Sequence, residues 1–284
     1  MYLSFFLLMS FIFLALNLQQ TICKPINTTS VHRGHDNGDK DVRIPTVQES
    51  AVLGRRILRL TPMATFSTVF PLASESNASS SKELSLQKAL PAHYIEHLQE
   101  HRPQGLENTP IGLIDYVADC EVSGNPTVLA INIATTFKNI AAGSKVSISF
   151  SWTPPHVPLW SSIFLNRQHP ARHSAANLPR FALFGHLERI DAAEVEELSI
   201  KECFTTTHPD AKSWLPGNRI HTSEWQRFVV ENIYWIGGFG DRAYIGWIPV
   251  DVWKNVWYDD IDRARLPGEK QGWKDIIHKW LGNK

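Results

Sequence analysis

Cysteine is scarce, with 3 residues in a chain of 284. That is too few for the disulfide-dense scaffolds of small secreted domains, and no C-x-x-C pair is present for zinc or thiol chemistry. Net charge is absent too, since 28 basic side chains balance 28 acidic ones. Without a basic excess the chain lacks the electrostatic footprint of nucleic-acid or anionic-membrane binding. There is no G-x-S-x-G elbow, no H-E-x-x-H and no Walker loop, so hydrolase, zinc-protease and NTPase chemistry have no carrier. His93, His97 and His101 recur at helical spacing, yet no cysteine or carboxylate completes a ligand set and no metal is expected.

What is present starts with a leader. Phe5 to Leu16 is an apolar run of signal-sequence length, shorter than a bilayer span, with Thr21 and Cys23 as small residues before a cleavage point at Lys24. Residues 1–23 are therefore expected to be a signal peptide, leaving no stable membrane span. Two N-glycosylation sequons, at Asn27 and Asn77, sit in polar stretches. The expected compartment is the secretory pathway, either outside the cell or in the lumen of the ER, Golgi, vacuole or lysosome. Cleavage leaves Cys120 and Cys203, whose spacing is compatible with one disulfide or with two buried thiols.

Residues 24–45 lack periodicity and read as a disordered tail. Thr46 and Glu49 have capping-box spacing and start a helix, on which Arg55, Arg56 and Arg59 are expected to form the solvated face. Met63 to Phe70 reads as a strand, followed by an insertion over 74–109. The runs Ile111 to Cys120 and Thr127 to Ile133, joined by Ser123-Gly124-Asn125-Pro126, predict a hairpin. Phe137 to Ala142 is about one helical turn, after which Val146, Ile148, Phe150 and Trp152 alternate on one strand face. A long Pro-rich loop spans 154–179. Phe181 to Ile190 is a strand, Asp191 with Glu194 opens a helix through about Thr206, and Phe228 to Ile236 and Arg242 to Ile248 are strands hinged on Gly237 to Asp241. Pro249 starts a short helix, and an amphipathic Trp273 to Leu281 segment closes an extension over 259–284. Strands joined without long crossover helices argue for a mainly β, α+β domain with an antiparallel barrel or sandwich. Most of the ten Trp lie from Trp160 onward, placing the aromatic packing in the second half.

The order of these elements resembles the split-barrel flavoproteins of the pyridoxamine phosphate oxidase type, and within them the CREG family of secreted glycoproteins. The residues that carry the likeness are Met63 to Phe70, Asn125 to Trp152, Leu198 to Trp214 with its H-P-x-x-K-x-W element, and Phe228 to Tyr244. The resemblance implies a six-stranded antiparallel split β-barrel over 46–258 with peripheral helices. It also implies a homodimer formed through barrel faces, which acts by binding a partner such as a glycoprotein receptor, or in endolysosomal or vacuolar homeostasis. In flavin-binding relatives the FMN phosphate is held after the strand and turn that match Ile131 to Ile140, which carries over to Thr135, Thr136 and Lys138. Two hydroxyls and a cation suit a phosphate dianion. Strand Ile111 to Val117 lacks the arginine such relatives place there, and CREG-type members are taken to hold no flavin. The expectation is accordingly a non-catalytic protein with no cofactor, and an FMN-dependent oxidoreductase is the alternative.

Overall fold

The computed structural model describes residues 43–72, 102–154, 175–218 and 222–269, all within one compact unit that begins at Arg43. The expected leader, both sequons, the three spaced histidines and the Trp273 to Leu281 segment lie outside the described residues, as do 73–101 and 155–174.

Helix α1 (Val47–Leu60) begins as its sequence requires. The Thr46 side chain accepts from the Glu49 backbone N–H while the Glu49 carboxylate accepts from the Thr46 N–H, so two donors without an intrahelical partner are satisfied reciprocally. Strand β1 (Met63–Val69) follows, then β2 (Pro110–Tyr116), β3 (Thr127–Ile131), helix α2 (Thr135–Ala141) and strand β4 (Val146–Ser151). Strand β5 (Arg180–Arg189), helices α3 (Ala192–Glu197) and α4 (Ile200–Thr207), strands β6 (Ser223–Ile236) and β7 (Ile245–Ile248), and helices α5 (Val250–Lys254) and α6 (Tyr258–Arg263) complete the chain.

All strand pairs are antiparallel. Six strands run in the order β2-β1-β4-β5-β6-β3, and β7 adds to β6 as a seventh. Among the described residues, the two ends of this path meet only where Ala118 and Thr127 exchange backbone hydrogen bonds of 3.0 and 2.8 Å. The sheet thus curls into a barrel that stays open along β2 and β3.

The expected hairpin between β2 and β3 does not form. All seven β2 residues pair with β1, and β3 pairs with β6. The turn explains the difference, because its polar groups are used on β6: Asn125 Oδ1 accepts from the Val230 N–H at 3.0 Å, and Pro126 O accepts from the Phe228 N–H at 2.8 Å. The Ser123 to Pro126 cluster is a turn, but one that hands the chain to a distant strand. Two further boundaries shift. The predicted single turn before β4 is a seven-residue helix, and the helix expected from Asp191 to Thr206 breaks where Ser199 takes the left-handed φ of 50°. The Asp191 cap itself forms, accepting from the Glu194 N–H.

Strand alternation sets the core. Phe66, Ile148, Phe150, Leu183, Phe228, Ile233 and Trp235 fill the barrel, and Ala51, Ile57 and Leu58 of α1 close one side of it together with Trp253 of α5. Gly54 permits that closure, since a Cβ there would fall 2.7 Å from the Trp253 ring. A second cluster of Leu129, Ile190, Ile200, Phe204 and Trp225 lies under α3 and α4. Arg55 departs from expectation. It is fully buried, where the sequence pattern placed it on a solvated face.

Candidate functional site

Three places on the molecule have the chemistry to act on something else. The first is α2, which carries the predicted phosphate ligands. Phe137 packs edge-on against Phe66, and Asn139 Nδ2 donates to Thr68 Oγ1 at 3.0 Å in the interior. Ser144 Oγ accepts from the Val69 N–H at 2.8 Å. The helix is therefore fastened to β1 by its inward side. Thr136 is on that side, 1% exposed. Thr135 and Lys138 are partly accessible, and their three-residue spacing places them on a common face.

A phosphate dianion is held by several donors, the charged ones most strongly. Here two accessible side chains and one charge are available from α2, with no basic side chain on β2, whose charged residue is Asp115. Asp115 is opposite Ala64 and burial pushes its carboxyl up to about 6. As an FMN phosphate clamp this residue set does not fit.

The second place is the H-P-x-x-K-x-W element. The His208 and Tyr116 rings stack at 4.4 Å and 6°. His208 Nε2–H donates to Val117 O at 2.9 Å, which places a hydrogen on Nε2 because a carbonyl can only accept. The Tyr116 hydroxyl donates to Asp210 Oδ2 at 2.5 Å, holding the Asp210 carboxyl below its usual value. Trp214 adds a tilted ring at 6.3 Å. With His208 buried and its ring nitrogen occupied, the element works as a latch that ties the turn after α4 to the end of β2. A disulfide between Cys120 and Cys203 joins the same two regions, with Cα atoms 5.8 Å apart. Two of the sequence alternatives are thereby resolved in favour of the bridge. Among the described residues, no group of three or more His, Cys, Asp and Glu could hold a metal, and no helix is long and apolar enough to cross a membrane.

The third place is the outer face of β5, β6 and β7, which sequence reasoning did not single out. Phe184 and Trp247 have ring centroids 5.8 Å apart, and Tyr234 and Trp247 5.1 Å. Trp247 is 57% exposed and the other two more than a third. His186 and Glu231 form an exposed pair at 2.8 Å nearby on β5 and β6. The only signal in the sequence was that Phe184, Tyr234 and Trp247 occupy the outward positions of their strands. That became informative once the register placed Tyr234 opposite Trp247.

This geometry defines a class: an open antiparallel β-barrel with helices packed around it, in which a disulfide and an aromatic latch tie α4 and the turn after it to the end of β2. The sequence model described as "CREG, beta-barrel" matches residues 95–255, more than half of the chain, and the protein belongs to the CREG β-barrel family. No curated protein matches it. Solved structures similar to it include a heme-binding protein from Mycobacterium smegmatis, 14% identical over 75% of this chain and 62% of that one, with a TM-score of 0.45. This chain therefore spans under two thirds of that protein's length. Another is an FAD-binding protein from Mesorhizobium loti, 9% identical over 63% of this chain and 87% of that one, with a TM-score of 0.33. A NimC/NimA family protein from Clostridium acetobutylicum is 12% identical over 68% and 87%, with a TM-score of 0.34.

Proposed function

We propose that the protein is a glycoprotein of the secretory pathway that works by binding, as a homodimer, and carries out no redox reaction of its own. The observation that supports this most directly is the exposed Phe184, Tyr234 and Trp247 cluster. Clustered apolar side chains at the surface cost solvation unless a partner covers them, and aromatic rings dominate protein interfaces. The disulfide supports the compartment, because such bonds persist in oxidising lumens and outside the cell and are rare in the cytosol. The α2 residues support the non-redox reading, since Thr136 is buried and a single cation remains beside Thr135. On this reading the site acts in the extracellular space or in an endolysosomal or vacuolar lumen, through a second copy of the chain and a glycoprotein receptor.

The test is sedimentation of the protein secreted from a eukaryotic host. A dimer that becomes a monomer in Trp247→Arg, with unchanged circular dichroism, is expected. A monomeric wild-type protein overturns the homodimer. Visible spectra of the same sample with added FMN test the chemistry: a stable yellow complex that is lost in Lys138→Ala overturns the non-redox reading. Glycosidase treatment is expected to shift its electrophoretic mobility through Asn27 and Asn77.

A further inference from the structure

The outer face of β5 and β6 has a polar edge beside its aromatic rings, and one irregularity of the sheet puts it there. The buried residues of β6 run Phe228, Val230 and then Ile233, Trp235, so the period of two skips a position. The skip is a bulge. Phe184 is opposite Asn232 and Gly185 is opposite Val230, which leaves Glu231 without a partner on β5. Glycine is required there, since a Cβ at Gly185 would fall 1.9 Å from Val229 O. Two consecutive side chains, Glu231 and Asn232, are therefore exposed together.

What surrounds them is half apolar and half hydrogen-bonding. Asn232 is directly opposite Phe184, and side chains paired in this way have Cβ atoms roughly 5 Å apart. The Phe184 ring centroid is in turn 5.8 Å from that of Trp247. His186 follows Phe184 two residues along the same side of β5, about 7 Å away at strand spacing. Its Nδ1 is 2.8 Å from Glu231 Oε1, and the two side chains are 57% and 54% exposed. With that contact made, Oε2 of Glu231, Nε2 of His186 and the amide of Asn232 are left to meet a ligand.

These groups include donors and acceptors at close spacing, with an exposed aromatic ring adjoining them. A pyranose matches that combination, because its ring C–H groups give it an apolar face for an aromatic side chain and its hydroxyls each donate and accept at the edge. Charge narrows the class. His186 at most balances Glu231, and Glu188, two residues further along the same side of β5, is acidic and exposed. The polar edge thus has no positive excess to hold a phosphate, a sulfate or a sialic acid. A neutral sugar fits and an anionic one does not. A protein partner suits this edge less well than it suits the rings, since the cores of protein interfaces are depleted in Glu.

We propose, on the reading that this face binds a glycoprotein, that Phe184, His186, Glu231 and Asn232 form a subsite for a neutral terminal hexose of that partner's glycan. The apolar face of the sugar lies on the Phe184 ring, and its hydroxyls are held by Glu231, Asn232 and His186. Tyr234 and Trp247 are left to the contact between copies of the chain, so a homodimer carries two such subsites.

Binding of the secreted protein to immobilised N-glycans of defined structure tests this, with galactose-terminated and high-mannose glycans as neutral probes and a sialic-acid-capped glycan as the anionic one. The wild type is expected to bind a neutral probe and not the capped one. Phe184→Ala, Glu231→Gln and Asn232→Ala are each expected to weaken that binding by about ten-fold, the scale of one stacked ring or one hydrogen bond, whereas Phe184→Tyr keeps it. Glu231→Gln and Asn232→Ala are expected to sediment as the wild type does and to keep its circular dichroism, which separates a lost sugar site from a lost dimer or fold. A wild-type protein that binds no neutral glycan overturns the subsite. So does neutral-glycan binding that Phe184→Ala and Asn232→Ala leave unchanged, and so does equal binding of the capped glycan. A wild-type monomer that binds the neutral probes with this dependence on Phe184 and Asn232 upholds the subsite and overturns only the homodimer.

Discussion

Two arginines near the start of the domain, Arg43 and Arg55, both face a carboxylate, and the contrast between them shows how burial decides the value of a charge. Arg43 and Glu49 form a bidentate contact at the mouth of α1, at 2.5 and 3.0 Å, with both side chains largely in water. Arg55 is 3.6 Å from Asp119 with essentially no exposure on either side. Its Nη1 donates to Trp253 O at 3.3 Å, its Nη2 to Val122 O at 3.2 Å, and its guanidinium is 5.7 Å from the Trp253 ring. By geometry the first pair is better. By consequence the second dominates, because an exposed pair exchanges protein contacts for water at little net gain, whereas a buried charge without its partner keeps its full desolvation cost.

Replacing Arg55 sharpens that contrast most. Arg55→Ala is expected to destabilise the fold by about 3 to 5 kcal/mol, since Asp119 is left in the interior without its cation. Urea unfolding measures this, and the double variant Arg55→Met/Asp119→Leu is expected to recover most of the loss. If the single variant unfolds with the wild-type midpoint, the contrast between the pairs is broken.

The disulfide comes next. Asp119 is held beside Cys120, and the bridge to Cys203 closes a loop of 83 residues in sequence separation. The chain-entropy account then gives roughly 4 to 5 kcal/mol as an upper figure, and native bridges commonly deliver about 2 to 5. Cys120→Ala/Cys203→Ala is expected to lower the denaturant midpoint accordingly while the far-ultraviolet circular dichroism of the folded protein stays the same.

Acid titration separates the two pairs by sign. Burial raises the Asp119 carboxyl above its unfolded value, while the Arg55 guanidinium stays protonated. The native state therefore binds the proton more tightly, and this group's contribution to stability grows as pH falls through its folded pKa and is lost as pH rises. Glu49 runs the other way. Hydrogen bonds from Arg43 and Thr46 lower it to about 2, so its contribution is present above the unfolded value and is lost as pH falls toward 2. Stability measured from pH 6 down to pH 2 should show a shallower rise on acidification in Asp119→Asn and a shallower acid loss in Glu49→Gln. Opposite behaviour of either variant reverses the assignment of burial to Asp119 or of exposure to Glu49.

The smallest effect belongs to Arg43→Ala, for which the unfolding midpoint is expected to stay within the scatter of repeated measurements. Thr46 keeps its cap on Glu49 without Arg43, so the helix start survives.

Much of the fold was legible because its causes are local. The Thr46 and Glu49 capping box and the Asp191 cap formed at the residues their spacing indicated. Val146, Ile148, Phe150 and Trp152 were buried together, as period-two alternation requires, and Gly237 to Asp241 turned the chain between β6 and β7. The candidate site was less legible. Thr135 and Lys138 could be recognised as donors, but Thr136 became a core residue because α2 rotates that side toward β1. The Phe184, Tyr234 and Trp247 cluster required the register of β5, β6 and β7, the first two of which are separated in sequence by α3 and α4.

The amino-acid sequence alone determined the strands, the turns, the helix caps and the CREG-like order of elements, because propensity, periodicity and capping act within a few residues. The tertiary structure decided that β3 joins β6, that Cys120 bonds to Cys203 and that Arg55 of α1 is buried beside Asp119. Those choices depend on which distant backbone groups and charges remain to be satisfied once the core has closed, and no short window of sequence contains both members of such a pair.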